Sequence, residues 1–248
     1  MDVVGVIPAR WASSRFEGKV LADILGKPML QYVWERAQGA LLLDDIIIAC
    51  DDERVAARAR GFGAKAVMTS KDHPSGTDRI VEVINPLDVK IVVNIQADEP
   101  LLHPSMIDQV VRPLLEDRSI SVSTLIKRIR DPQEINDPNV VKVVVDENDF
   151  ALYFSRAVIP YRAVNSEIAE PLYYKHIGLY AYTKDFLFIY RNLAPSSLEK
   201  VEKLEQLRIL EDGFKIKTTE TKLDTIGVDT AEDLERVKRK LLQGEKNL

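Results

Sequence analysis

Apolar residues follow two rhythms in the first half of this chain. Short continuous runs at Val3–Ile7, Asp45–Cys50, Ala64–Met68 and Lys90–Ile95 read as buried strands. Between them, Pro28–Ala40, Glu53–Phe62, Asp78–Ile84 and Pro104–Leu115 carry apolar positions at helical spacing. Parallel strands need long crossovers, and helices fill them. The alternation therefore predicts an α/β fold, a mostly parallel mixed sheet with helices on both faces.

The second half changes rhythm. Ser121–Ile126, Val140–Val145, Ala151–Phe154 and Lys175–Tyr182 are all strand-like, and Asp146-Glu147-Asn148-Asp149 reads as a hairpin tip. A smaller antiparallel portion at about 121–182 is expected, carrying a dimer surface. Helices return at Lys184–Asn192, Lys203–Asp212 and Ala231–Leu242, and the closing GEKNL reads as a frayed tail. No repeat or long linker divides residues 1–248, so one domain is expected.

Composition narrows the function. A formal net charge of -5 speaks against a dedicated nucleic-acid or membrane-surface binder, and no apolar stretch is long enough to span a bilayer. The single cysteine, Cys50, cannot form an internal disulfide. With no signal-peptide pattern at the start, a reducing cytoplasm is expected.

Against that acidic balance, the loop after the first strand gathers Arg10, Arg15 and Lys19 among the small residues Ala9, Ala12, Ser13, Ser14 and Gly18. Fixed cations and approachable backbone N–H groups suit a phosphate chain, although a solvated surface loop would read the same. The pattern is neither a Walker-type nor a dinucleotide glycine motif. In NIQADEP, residues 94–100, an apolar strand runs into Gln96, Asp98 and Glu99. Carboxylates at a strand's end can seat Mg²⁺, or simply open the following helix. Asp229, before Thr230 and the last helix, poses the same choice between metal carboxylate and cap. Ser75, Gly76 and Thr77, followed by Asp78 and Arg79, look like a capped helix start that also offers free N–H groups.

Two polar stretches remain. KHIGLYAY puts His176, Gly178, Tyr180 and Tyr182 on one strand face by the period-two rule. LEKVEKLEQLRIL reads as an amphipathic helix whose glutamates, Glu199, Glu202 and Glu205, are mostly solvated.

Taken together, IPARWASSRFEGKVL, HPSGTDR, NIQADEP, YFSRAVIP, HIGLYAY, LEKVEKLEQLRILEDG and GVDTAEDLE resemble the sugar-activating cytidylyltransferases nearly end to end. Within that family YFSRAVIP, HIGLYAY and EKLEQLR resemble the branch acting on 3-deoxy-manno-octulosonate (KDO). Ala97 stands where that branch often has glycine. The resemblance implies a Rossmann-like nucleotidyltransferase fold, a homodimer, Mg²⁺ as cofactor, and CTP and KDO as substrates. The implied reaction makes CMP-KDO and pyrophosphate for lipopolysaccharide synthesis. It further implies that Arg10, Arg15 and Lys19 bind the CTP phosphates and that Pro8, Ala9, Ser75 and Arg79 surround the cytidine. Asp98 and Asp229 would be magnesium ligands. Gln96, Arg156, His176, Tyr180, Glu205 and Gln206 would line the sugar pocket, and Lys19, Arg10, Asp98 and Asp229 would carry catalysis. A related sugar acid (8-amino-KDO or sialic acid) and a catalytically inactive nucleotide-binding protein remain the alternatives.

Overall fold

The computed structural model describes residues 1–12, 18–73, 75–163 and 173–244. Arg15 of the opening loop and the tail beyond Gly244 lie outside the described residues. The chain divides into two units, one of residues 1–108 with 224–248 and one of residues 109–223.

In the first unit, β1 (Val3–Ala9) is followed by a short 3₁₀ turn at Lys19–Leu21 and a small hairpin, β2 (Asp23–Ile24) and β3 (Lys27–Pro28). Then come α1 (Met29–Ala37), β4 (Asp45–Cys50), α2 (Glu53–Gly61), β5 (Lys65–Met68), α3 (Gly76–Ile84), β6 (Ile91–Asn94) and the start of α4 (Pro104–Glu116), whose residues from 109 onward belong to the second unit. The strand order β6-β1-β4-β5 is parallel throughout. Val4, Val6, Ile7, Ile48, Val92 and Val93 are fully buried, as strands covered on both faces must be. Burying such a side chain is worth roughly 1.5–3 kcal/mol, which explains why this half of the sheet is written so plainly in the sequence. Register fixes the site: Ala9 lies opposite Cys50, so the residues following β1 and β4 emerge side by side.

The second unit contains β7 (Val122–Arg128), α5 (Pro132–Asn136), β8 (Lys142–Val145), β9 (Ala151–Ser155) and β10 (Tyr174–Thr183). It continues with α6 (Lys184–Asn192), α7 (Ser197–Glu202), α8 (Leu207–Glu211) and β11 (Lys217–Glu220). The antiparallel pairs β10–β7, β10–β8 and β8–β9 match the expected antiparallel portion. The hairpin tip is where it was expected. Asp146 accepts from the N–H groups of Asn148 and Phe150, and Asp149 takes a φ of 57°. An unpredicted strand, β11, runs parallel to β7. Its sequence, KTTE, has no apolar run, yet Thr218 is buried.

The stretch expected as one amphipathic helix is two short ones. Ser196 and Glu199 form a reciprocal capping box that starts α7, and Lys203 ends it in the left-handed region at φ 57°. The break turns Leu204 and Gln206 inward. It also corrects the solvated reading of the glutamates. Glu199 pairs with Arg208 at 2.5 and 2.7 Å, and Glu202 accepts from Ser155 Oγ at 2.6 Å and Arg156 N at 2.9 Å. Back in the first unit, α9 (Ala231–Gly244) seats Val237, Leu234 and Leu241 on Ile24, Met29, Tyr32 and Val228.

Candidate active site

The first unit's site is assembled at the carboxyl ends of β1, β4 and β6. After β6, the backbone oxygen of Asp98 accepts from Val228 N at 2.9 Å. That bond aligns the segment preceding α9 with the end of β6. Thr230 and Asp233 cap α9 reciprocally, so capping does not require the Asp229 carboxylate. Asp229 instead meets Lys19, whose Nζ donates to Asp98 Oδ2 at 2.8 Å and to Asp229 Oδ1 at 3.1 Å. Burial pushes the Lys19 ammonium down, but Asp98 and Asp229 outweigh it and hold its pKa above the ordinary value. Burial, reinforced by Asp98, pushes the neighbouring Glu99 carboxyl up to about 8. Of the two acids at the end of β6, Asp98 is therefore the one that carries the ion pair.

The loop from β1 to Lys19 is closed at its neck by Trp11. Its N–H donates to Asp51 Oδ1 at 2.8 Å, and its carbonyl accepts from Gly18 N at 3.0 Å. Arg54 lies 3.7 Å above the ring centroid. Gly18 adopts φ 70° against the indole, where a Cβ would lie 2.8 Å from the ring, so the position requires glycine. Arg10 is exposed on one leg of the neck, and Lys19 follows the other.

Arg79 is buried behind this neck. Its guanidinium donates to Asp51 Oδ2 at 3.0 Å, to Ser70 O at 3.1 Å and to Thr69 Oγ1. Through Asp51 it braces Trp11, a role the sequence reading did not give it. Asp51 itself was missed, although its place directly after the apolar run of β4 was a usable signal. Ser75 caps α3 by accepting from Asp78 N, and Gly76 packs against Pro8. Pro8, Ala9, Ser75 and Arg79 thus all lie at this end of the unit. Ala97 is buried and Gln96 is half-buried between Asn94 and Asp98.

In the second unit, His176, Tyr180 and Tyr182 share one face, as expected. Their rings follow one another at centroid spacings of 5.3 and 5.6 Å, and Phe154 meets His176 edge-on at 5.1 Å. The Tyr180 hydroxyl and Gln206 Nε2 are buried with no hydrogen-bond partner. Orphaned polar atoms beside an aromatic face suit a polar, ring-shaped ligand. Burial pushes the His176 imidazole down to about 3 and the Tyr180 hydroxyl well up. Glu205 is exposed, and its carbonyl accepts from Tyr190 Oη at 3.3 Å. Arg156 donates to the carbonyls of Glu202 at 2.8 Å and Pro138 at 3.0 Å, which ties β9 to α7.

The sequence profile of the family described as Cytidylyltransferase matches residues 4–217. The chain belongs to the cytidylyltransferase family.

Among curated members, this cytidylyltransferase is 49% identical to the 3-deoxy-manno-octulosonate cytidylyltransferase of Geotalea uraniireducens, over 97% of this chain and 99% of that one. It is 53% identical to the enzyme of the same name from Solibacter usitatus, over 98% and 97%. Among solved structures, it superposes on a CMP:2-keto-3-deoxy-manno-octonic acid synthetase complexed with CTP. The TM-score is 0.92 and the identity 42%, covering 98% of this chain and 100% of that one. Among the described residues, no helix is long and apolar enough to cross a membrane.

Proposed function

We propose that this cytidylyltransferase transfers CMP from CTP to the anomeric hydroxyl of KDO, giving CMP-KDO and pyrophosphate for lipopolysaccharide synthesis. The observation that carries the reading is the Lys19 bridge to Asp98 and Asp229, in a chain matching KDO cytidylyltransferases over almost its whole length. The attacking sugar and CTP are both anionic. Two unit charges 4 Å apart repel by about 4 kcal/mol at an effective dielectric of 20. Lys19 and Arg10, with Arg15, supply the cations that offset this on the triphosphate. Asp51 and Arg79 hold the loop neck so that Arg10 and Lys19 need not reorganise when CTP arrives.

The donor set at Asp98 and Asp229 suits a hard divalent cation. Two carboxylate oxygens lie within 3.1 Å of one nitrogen, close enough to share a cation. Among the described residues no three His, Cys, Asp or Glu side chains converge into a cage. Mg²⁺ is usually held in this way, by one or two carboxylates with waters and substrate phosphates. When bound, Mg²⁺ would supply charge neutralisation at the α-phosphate and acidify the attacking hydroxyl.

The second unit supplies the sugar contacts. His176, Tyr180 and Gln206 offer hydrogen-bonding atoms to hydroxyls, with Glu205 beside Gln206 in the chain. Arg156, held by the carbonyls of Glu202 and Pro138, is the cation assigned to the sugar carboxylate. A homodimer, in a reducing cytoplasm compatible with the free buried Cys50, completes the proposal. Pyrophosphate release with CTP and a panel of KDO, 8-amino-KDO and sialic acid tests it. KDO should be turned over fastest. A faster rate with either other acid would reassign the substrate, and CTP consumption with none of them would refute the reading.

A further inference from the structure

β10 takes in two extra residues, Gly178 and Leu179, between Ile177 opposite Leu125 and Tyr180 opposite Thr124. The buried Thr124 hydroxyl fills this bulge. Its Oγ1 lies 3.1 Å from Ile177 O, 2.9 Å from Leu179 O and 3.1 Å from His176 Nε2. The two carbonyls can only accept, and a hydroxyl has one proton to give. Were Nε2 bare, three acceptors would compete for that proton, and two would face an oxygen lone pair. Were Nε2 protonated, it would donate to Oγ1 while the hydroxyl donates to one carbonyl, so two of the three contacts would be favourable and only the other carbonyl would face a lone pair.

We propose that Thr124 is a positioning residue that fixes His176 as the neutral Nε2–H tautomer, leaving Nδ1 as a hydrogen-bond acceptor for a sugar hydroxyl. The substrate half of this inference rests on the reading of His176 as part of the KDO pocket. Burial, which holds the imidazole uncharged at neutral pH, agrees with it. Phe154 and Tyr180 flank the ring at 5.1 and 5.3 Å and restrict its rotation. A bare Nδ1 accepts from a hydroxyl and repels a carboxylate. His176 thus reads the polyol of the acidic sugar, and its carboxylate must be bound by a cation elsewhere.

The test is ¹⁵N NMR of the imidazole nitrogens in the substrate-free full chain, which has only three histidines to assign. Wild-type protein should show a pyrrole-type Nε2 and a pyridine-type Nδ1 for His176. Thr124→Val should mix the tautomers and raise the KM for KDO about three- to tenfold with the KM for CTP unchanged. Thr124→Ser should restore both. An Nδ1–H tautomer or an imidazolium in wild type at pH 7 overturns the proposal, and that spectrum decides it even if Thr124→Val does not fold. A tautomer lost in Thr124→Val with both KM values unchanged overturns its substrate half. If wild type does not use KDO at all, the pocket reading fails while the spectrum still decides the tautomer.

Discussion

Lys19 and Arg10 belong to the same loop but differ in their surroundings. Lys19 is 12% exposed and bonded to two carboxylates, whereas Arg10 is exposed. A charge-assisted hydrogen bond is worth about 1.5–3 kcal/mol, so removing either cation should cost roughly 10- to 150-fold, mainly on CTP. Steady-state kinetics with CTP and KDO varied separately checks this; unchanged constants would make both charges surface decoration. Arg10→Ala should leave thermal stability unaltered. Lys19→Ala should lower it, because Asp98 and Asp229 then face one another without a cation. Screening at the more exposed Asp229 moderates that loss. Asp98→Asn and Asp229→Asn should each reduce turnover by orders of magnitude, and chelation of divalent cations should abolish it. Near-normal turnover of either variant at saturating Mg²⁺ would remove that residue from the metal site. His176 makes a separate pH prediction. Its pKa falls from 6.5 to about 3 on folding. Above pH 6.5 it is neutral in both states. As pH drops towards 3, the unfolded chain takes up a proton that the folded chain refuses, so the stability His176 contributes is lost across that window. Urea titrations of wild type and His176→Gln should show the difference between them shrinking from pH 6.5 to pH 3. A constant difference would contradict the buried neutral ring.

At the scale of elements, Asp51 links two of them, accepting from Trp11 after β1 and from Arg79 of α3. Asp51→Ala leaves a guanidinium that is 4% exposed without its partner. Breaking such a buried pair costs about 3–5 kcal/mol. Urea unfolding should show a loss of that size, together with a raised KM for CTP as the loop neck loosens. A loss below 1 kcal/mol would mean that Asp51 does not brace the loop. What the sequence disclosed at this scale follows from hydrophobic burial. β1, β4 and β6 are apolar because both faces are covered, and α9 shows its seam at Leu234, Val237 and Leu241. Elements governed by side-chain hydrogen bonds were not legible. β11 pairs through a polar KTTE, and α7 is set by a capping box at its start, a left-handed Lys203 at its end and the hydrogen bonds of Ser155 and Arg156 to Glu202. Lys19, Asp98 and Asp229 could be picked out singly, from the small-residue loop after β1, the segment after β6 and the start of α9. Their convergence on one ammonium needed the Val228–Asp98 backbone bond, which joins residues 130 apart and leaves no local pattern.

For the molecule as a whole, the proposed homodimer has a candidate surface in the second unit, where Leu152 and Tyr161 are 60% and 84% exposed. Light scattering should give twice the monomer mass, and Leu152→Asp should shift it towards the monomer; a monomeric wild type would refute the dimer. The central claim is chemical: the anomeric oxygen of KDO attacks the α-phosphorus of CTP and pyrophosphate leaves. The most direct measurement is ³¹P NMR of the wild-type reaction with KDO carrying ¹⁸O at the anomeric hydroxyl. The account predicts that the label appears at the phosphorus of CMP-KDO and that one unlabelled pyrophosphate is released per product. Label in pyrophosphate, or CTP broken down with no CMP-KDO formed, would contradict it.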